Sequence, residues 1–468
     1  MRDRELMLTP LYWNTLSQTS KISKDFFGVS QGTIYSYLKE GRDIQIHLQA
    51  NWQKAGKLIA DNYFKHQSFF SNLEVVLLQK AKSADIFLKR LRRVNFQALS
   101  PEALASLAAD IQTAWLDYDE INVPAWFWVA DEFSARLQKL LSVSPDEYLV
   151  LSTPDVNTYA SRLEHDLLKK WLLVQASKLS LESAAQSLAD NYGWLPFGYD
   201  GPEYWDSKYF LRQLKALGRN PKRREVITQE ESDWRQRLRQ KKNIIKRYRF
   251  TNQNLRYLEI INKLAIWTDE RKKLEFQLHY HYTRVLLALE KKLDIPYFNL
   301  KYLFTEELSN LLKNKDKFIK ISSRRLRSDF MLETKNGKIR ILSALEKNKI
   351  LREISQQNKE QVVRGAVASS GAVSFYEGRV KVLLSPADSD KVQMGDIIVA
   401  TMTSPDYIVA MKRAGAFITD EGGVTCHAAI VAREMHKPCL IGAKIATKKF
   451  KDNDRVRMDL QHGTVTLI

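Results

Sequence analysis

The chain has 468 residues, of which 44% are hydrophobic and 27% charged, a balance that excludes a largely disordered protein. Lysine and arginine number 73 against 54 acidic residues, a formal net charge of +19. No run approaches the roughly 20 apolar residues of a membrane-spanning helix, and the start, MRDRELMLTP, has no apolar stretch behind its charges. The two cysteines, Cys426 and Cys439, are too few for a disulfide framework or a self-contained zinc site. These features lead us to expect a cytoplasmic protein with no membrane association and no structural metal.

Residues 1 to about 345 read as mainly α-helical. Segment 21–42, KISKDFFGVSQGTIYSYLKEGR, imitates a helix-turn-helix, with Gly28 in the turn and 31–38 as recognition helix. Segments 72–94, 101–121 and 151–179 space their apolar residues by three and four. The last of these has a helix-start signal at Thr153, followed by Pro154 and Asp155. A Gly-, Pro- and aromatic-rich break follows at 191–205. From 212 to 249 fourteen Lys or Arg face four Asp or Glu, a surplus of ten that is over half of the net charge. That stretch fits a solvated helix face, a cradle for an acidic partner, or a nucleic-acid footprint.

A further helical pattern occupies 251–315. His279 and His281 lie within it two positions apart, which points them away from each other on a helix and rules out a metal pair. The polar segment 346–361 reads as a linker. Beyond it the period changes. The stretch from 362 alternates as β-structure, GDIIVATM and AGAFITD read as short buried strands, and RVRMDLQHGTVTLI reads as a hairpin. One helix, 426–435, sits among them. Nine of the 18 glycines fall after residue 360, which marks the same change of architecture. The expected fold is thus multidomain: a mainly α-helical region at 1–345, with a possible division near 212–250, the linker 346–361, and a small strand-containing domain at 362–468.

Chemistry concentrates in ITDEGGVTCHAAIVAREMHKPCLIG, residues 418–442. A buried strand ends in a Gly-Gly turn, and His427 opens a helix directly afterwards. A helix start offers unpaired N–H groups and a partial positive charge, both favouring an anion. A neutral imidazole placed there can attack a phosphoryl group and have the product held by the same amides. Gly422 and Gly423 allow a tight turn and room for a bulky donor, and Thr425 and Cys426 keep the histidine's flank small. Asp420 and Glu421 are candidates to orient the imidazole or a donor. Arg433 is a candidate phosphate contact, although six positions along a helix turn it away from His427, so a salt bridge is an equal reading. No GxxxxGK[ST] loop or GxGxxG turn is present.

This segment resembles the mobile phosphohistidine domain of the PEP-utilising enzymes, the family of PEP synthase, pyruvate phosphate dikinase and rifampicin phosphotransferase. The matching residues are Gly395-Asp396, Met402-Thr403 with Pro405, Thr419-Asp420, Gly422-Gly423, Thr425 through Ile430, Ala432-Arg433-Glu434, Pro438 and Gly442. The resemblance implies a swivelling β/β/α domain at 362–468 phosphorylated on His427. It also implies ATP or PEP as the phosphoryl donor and a phosphoryl acceptor. No ATP-grasp or barrel pattern accompanies it, so the donor site and its magnesium are expected on a separate ATP-grasp partner. Stretches 151–168, 192–205 and 269–308 are similar, more loosely, to the helical middle region of rifampicin-phosphotransferase-like members. That similarity suggests an acceptor pocket for a small molecule, with Trp126, Trp128, Tyr192, Trp194, Tyr199 and Trp205 as candidate lining or as core. The competing expectation is a nucleic-acid-binding or regulatory protein that uses the basic helical region and keeps the histidine domain without activity.

Overall fold

A computed structural model describes residues 8–468 apart from 40, 41, 48, 127, 153, 157, 158, 197–203, 361, 372, 385, 404–406 and 423–426. At some further positions, among them His427, Ile430, Arg433 and Glu434, it describes the backbone alone. The chain divides into two compact units, Met1–Ala344 and Leu345–Ile468.

The first unit is mainly helical, as its 3.6-residue periodicity predicts. Its longest helices are Pro101–Trp126, Pro221–Tyr248 and the 42-residue Asn252–Leu293, here called the long helix. The long helix starts on the hydroxyl of Thr251, which caps the Asn254 N–H, and stops at Asp294, whose φ of +51° breaks the helical path. Three apolar clusters form its interior: one around Trp13, Trp115 and Tyr282, one around Tyr63, Phe133 and Trp267, and one around Tyr159, Trp194 and Phe210.

This unit also holds a sheet that helical periodicity does not predict. Strands β1 (Thr33–Lys39), β2 (Arg42–His47), β3 (Phe330–Lys335) and β4 (Lys338–Ile341) pair antiparallel in the order β2-β1-β3-β4. The apparent recognition helix at 31–38 is therefore strand β1, so this segment is not a helix-turn-helix. Ser20 caps a short helix, Lys21–Phe27, and Gly28 ends it with φ +73°. Beyond it Ile34, Ser36 and Leu38 are buried while Thr33, Tyr35 and Tyr37 are less so. That period of two, in a segment of β-branched and aromatic residues, outweighs the helical likeness.

One further expectation needs correction. Segment 151–179 is not one helix: a helix ends at Leu151 and the next, Tyr159–Gln175, begins eight residues later. Pro154 and Asp155 lie between them, Asp155 pairing with Lys241 at 2.9 Å, and Thr153 lies outside the described residues. The polar segment expected as a linker at 346–361 is helical over nearly all its length, since Ala344–Glu360 is a 17-residue helix. It contains neither Gly nor Pro, and Ile350, Leu351 and Ile354 recur at helical spacing.

The second unit has β5 (Val363–Arg364), β6 (Ala366–Ser369), β7 (Phe375–Leu383), β8 (Ile397–Ala400), β9 (Ala416–Thr419), β10 (Cys439–Ile441), β11 (Arg455–Asp459) and β12 (Thr464–Leu467). They form one sheet in the order β5-β12-β11-β7-β8-β9-β10-β6. Its centre, β7-β8-β9-β10, is parallel and its flanks are antiparallel. Every residue of β8 and β9 is buried, as a parallel strand covered on both faces requires. One face packs on helices Ile408–Arg413 and His427–Glu434, and the other on Phe450, Met458 and their neighbours. Among the described residues no helix is long and apolar enough to cross a membrane.

Candidate functional site

In an open sheet with parallel strands, ligands gather beyond the carboxyl ends. Here register aligns Leu383 of β7 with Ala400 of β8, and Ala400 with Thr419 of β9, so Leu384, Thr401 and Asp420 leave the sheet side by side. The backbone fixes the exit from β9. Asp420 N–H donates to the Ala400 carbonyl at 3.0 Å and Glu421 N–H to the Thr401 carbonyl at 2.8 Å. From the other side Ala443 and Lys444 donate to the carbonyls of Thr419 and Asp420 at 2.8 and 3.0 Å. Gly422 then takes φ +113°, a conformation open to glycine and strained for any side chain.

Asp420 has structural partners of its own. Its carboxylate accepts the Ala446 N–H at 2.5 Å, the Thr447 N–H at 3.2 Å and the Thr447 hydroxyl, capping the short helix Ala446–Lys449. It is a clamp between the glycine turn and the segment after β10. No local signal reveals that role, because its partners lie 26 residues away. Partial desolvation, helped by the Asp420 charge, raises the neighbouring Glu421 carboxyl above its ordinary 4.5.

His427 begins the eight-residue helix His427–Glu434 at this edge. Ala428, Ala429, Val431 and Ala432 are buried, and their small side chains let the helix pack closely on β6, β9 and β10. The first amides of the helix have no partner within it. Gly423, Thr425 and Cys426 lie outside the described residues. Arg433 belongs to the last turn of the same helix. Leu384 and Met402, 63% and 55% exposed, give this edge of the sheet an uncovered apolar rim.

The aromatic residues considered for an acceptor pocket are not brought together. Trp126 and Trp128 pack in the cluster around Tyr63 and Phe133, whereas Tyr192, Trp194 and Trp205 pack around Tyr159 and Phe210. Tyr199 lies outside the described residues. His279 is fully buried, with its ring centre 3.8 Å from that of Trp115 and 5.5 Å from that of Trp13, and burial holds it well below its ordinary 6.5. His281 faces Phe96 instead. Among the described residues no group of three or more His, Cys, Asp or Glu is placed to hold a metal ion.

The parallel-centred sheet, the glycine turn at its carboxyl edge and the helix opened by His427 belong to one C-terminal strand-containing domain. Residues 392–463 match the family described as PEP-utilising enzyme, mobile domain. The chain is 47% identical over 121 residues to a probable phosphoenolpyruvate synthase of Archaeoglobus fulgidus, covering 26% of this chain and 16% of that protein. It is 42% identical over 133 residues to the phosphoenolpyruvate synthase of Pyrococcus furiosus, covering 28% and 16%. For a probable phosphoenolpyruvate synthase of Methanothermobacter thermautotrophicus the identity is 49% over 113 residues. The chain thus spans 16% of the length of each of these relatives.

Proposed function

We propose that this chain is a phosphotransferase component that carries a phosphoryl group on His427 between a donor and a separate acceptor. The observation that carries the reading is His427 at a helix start, directly behind the glycine turn, inside the segment that matches the PEP-utilising mobile domain. In the first transfer a neutral imidazole nitrogen attacks the donor phosphorus. An N–P bond forms, the donor's P–O bond breaks, and the electron pair leaves on the donor oxygen. In the second, an acceptor oxygen attacks the same phosphorus, its proton passing to a base, and the N–P bond returns its electrons to the ring.

The donor is ATP or PEP, presented by an ATP-grasp partner that also holds the magnesium. The helix-start amides stabilise the charged phosphoryl group, and Gly422 and Gly423 keep its approach open. Residues Thr425 and Cys426 keep the flank of the ring small, and Arg433 is a further candidate for the phosphate. Movement of the carrier domain separates the two transfers in space.

Intact mass after incubation with PEP, with ATP and magnesium, and with ATP plus an ATP-grasp partner tests this reading. An acid-labile phosphoryl adduct is expected on the wild-type chain and not on His427→Ala. An adduct that persists in His427→Ala refutes the assignment.

A further inference from the structure

On the long helix, Gln277, Tyr280, His281 and Arg284 stand at i, i+3, i+4 and i+7 and so share one face. Arg92, just beyond the helix Gln67–Leu91, reaches the same face and donates its Nη2 to Gln277 Oε1 at 3.0 Å. The Arg284 guanidinium sits 4.2 Å over the Phe96 ring and 5.8 Å from the centre of Tyr280. Tyr204, ahead of the helix Ser207–Arg219, stacks on Tyr280 with ring centres 4.1 Å apart. Two cations, an amide, an imidazole and a half-buried tyrosine pair thus converge from three parts of the fold.

Two features set this cluster apart from an ordinary ion-pair network. Among the described residues no carboxylate pairs with Arg92 or Arg284. The Asp190 charge acts on Tyr204. Second, Gln277 Nε2 and His281 Nδ1 are buried without hydrogen-bond partners, in residues only 5% and 3% exposed. Because Gln277 Oε1 is fixed by Arg92, the orphaned atom is the donor NH2. Orphaned donors beside unneutralised guanidinium groups call for an acceptor of negative charge. Burial and the two arginine charges push His281 to about 3, so its ring is neutral at physiological pH and can donate through Nδ1–H.

We propose that Arg92, Gln277, His281 and Arg284 form an anion-binding subsite for the phosphoryl acceptor, a small organic anion bearing a carboxylate or a phosphate. The tyrosine pair flanks its organic part. The assignment as acceptor rests on the carrier reading above; the binding itself does not. Arginine holds either anion through paired N–H donors, which a lysine point charge does not reproduce.

The test is calorimetric titration of the full-length chain with phenyl phosphate, benzoate, inorganic phosphate and uncharged phenol. At least one organic anion is expected to bind at least about tenfold more tightly than phenol, and Arg92→Met and Arg284→Met each to weaken it by about tenfold or more. Preference for phenyl phosphate or benzoate distinguishes the two anion classes. Arg92 is exposed, so Arg92→Met keeps the test valid even if Arg284→Met does not fold. Binding of none of the three anions, or wild-type affinity in the folded variants, overturns the subsite. No phosphoryl transfer is read, so a negative result here leaves the phosphorylation of His427 to be judged by its own experiment.

Discussion

At the scale of residues, the C-terminal unit depends on a few groups with no freedom to change. Asp420 is 7% exposed and its carboxylate satisfies two amides and a hydroxyl. Replacing it by Ala removes a cap and leaves buried donors unpaired, a cost of about 1–3 kcal/mol. Asp420→Asn, which keeps one acceptor oxygen, is expected to lose less. Urea unfolding followed by circular dichroism measures both, and equal stability of Asp420→Ala and wild type would contradict the clamp. Gly415 is constrained by space alone, since a Cβ there would lie 1.6 Å from the Tyr376 hydroxyl, which itself donates to the Gly395 carbonyl. Gly415→Ala is therefore expected to lower the unfolding midpoint, and Tyr376→Phe in the same chain to recover part of the loss. The glycine turn before His427 was legible in the sequence because glycine announces a backbone demand locally. Asp420 and Gly415 were not legible in this way, because each is fixed by a partner distant in the chain.

At the scale of elements, length and periodicity carried the reading where an element is long and amphipathic. The helices Pro101–Trp126 and Asn252–Leu293 present many turns of one pattern. Short elements did not speak as clearly. Strand β1 borrowed the outline of a helix, and its pairing with β3, nearly 300 residues on, has no local trace. The cluster of Arg92, Gln277, His281 and Arg284 was hidden for the same reason: Gln277 and Arg284 share a visible helical spacing, but Arg92 and Tyr204 join them only through the fold.

The helix Pro101–Trp126 also carries an ionisable group with a measurable consequence. Burial lifts the Glu120 carboxyl from an ordinary 4.5 to about 7, with Lys80 and Ser20 opposing and Asp117 and Asp119 reinforcing. A carboxyl whose folded value is raised holds its proton more tightly when folded. Its stabilising contribution is complete below pH 4.5 and disappears as pH rises to about 7. Glu120→Gln, which stays neutral, is expected to match wild type near pH 4 and to melt higher by a few degrees near pH 8. A midpoint difference that does not change with pH would contradict this.

At the scale of the whole molecule, the positive charge was plain in the composition, but its use was not. Within 212–249, Arg223 pairs with Glu164, Lys241 with Asp155 and Arg247 with Glu147, while Arg212, Lys215, Arg219 and Lys222 are exposed at three- and four-residue spacing. Folded as a strand, 31–38 does not supply the recognition helix expected of it. Any retention on immobilised DNA is expected to weaken steeply with salt and to be indifferent to sequence, so that unrelated duplexes compete equally. One duplex displacing the protein a hundredfold better than others would contradict that expectation.

The segment read from sequence as a linker is a 17-residue helix, Ala344–Glu360, that opens the second unit. A rod of that length measures about 26 Å end to end at 1.5 Å per residue. A tether lets its cargo wander through a sphere, diluting it among useless positions, whereas a lever arm confines the cargo to an arc. Turning such an arm through about 60° carries its tip about 26 Å, on the order of a domain diameter, with little change of internal structure. On the carrier reading proposed above, travel between donor and acceptor becomes a search in angle about the ends of the arm. Its pace and reach would be set by the arm's length and stiffness rather than by slack in the chain.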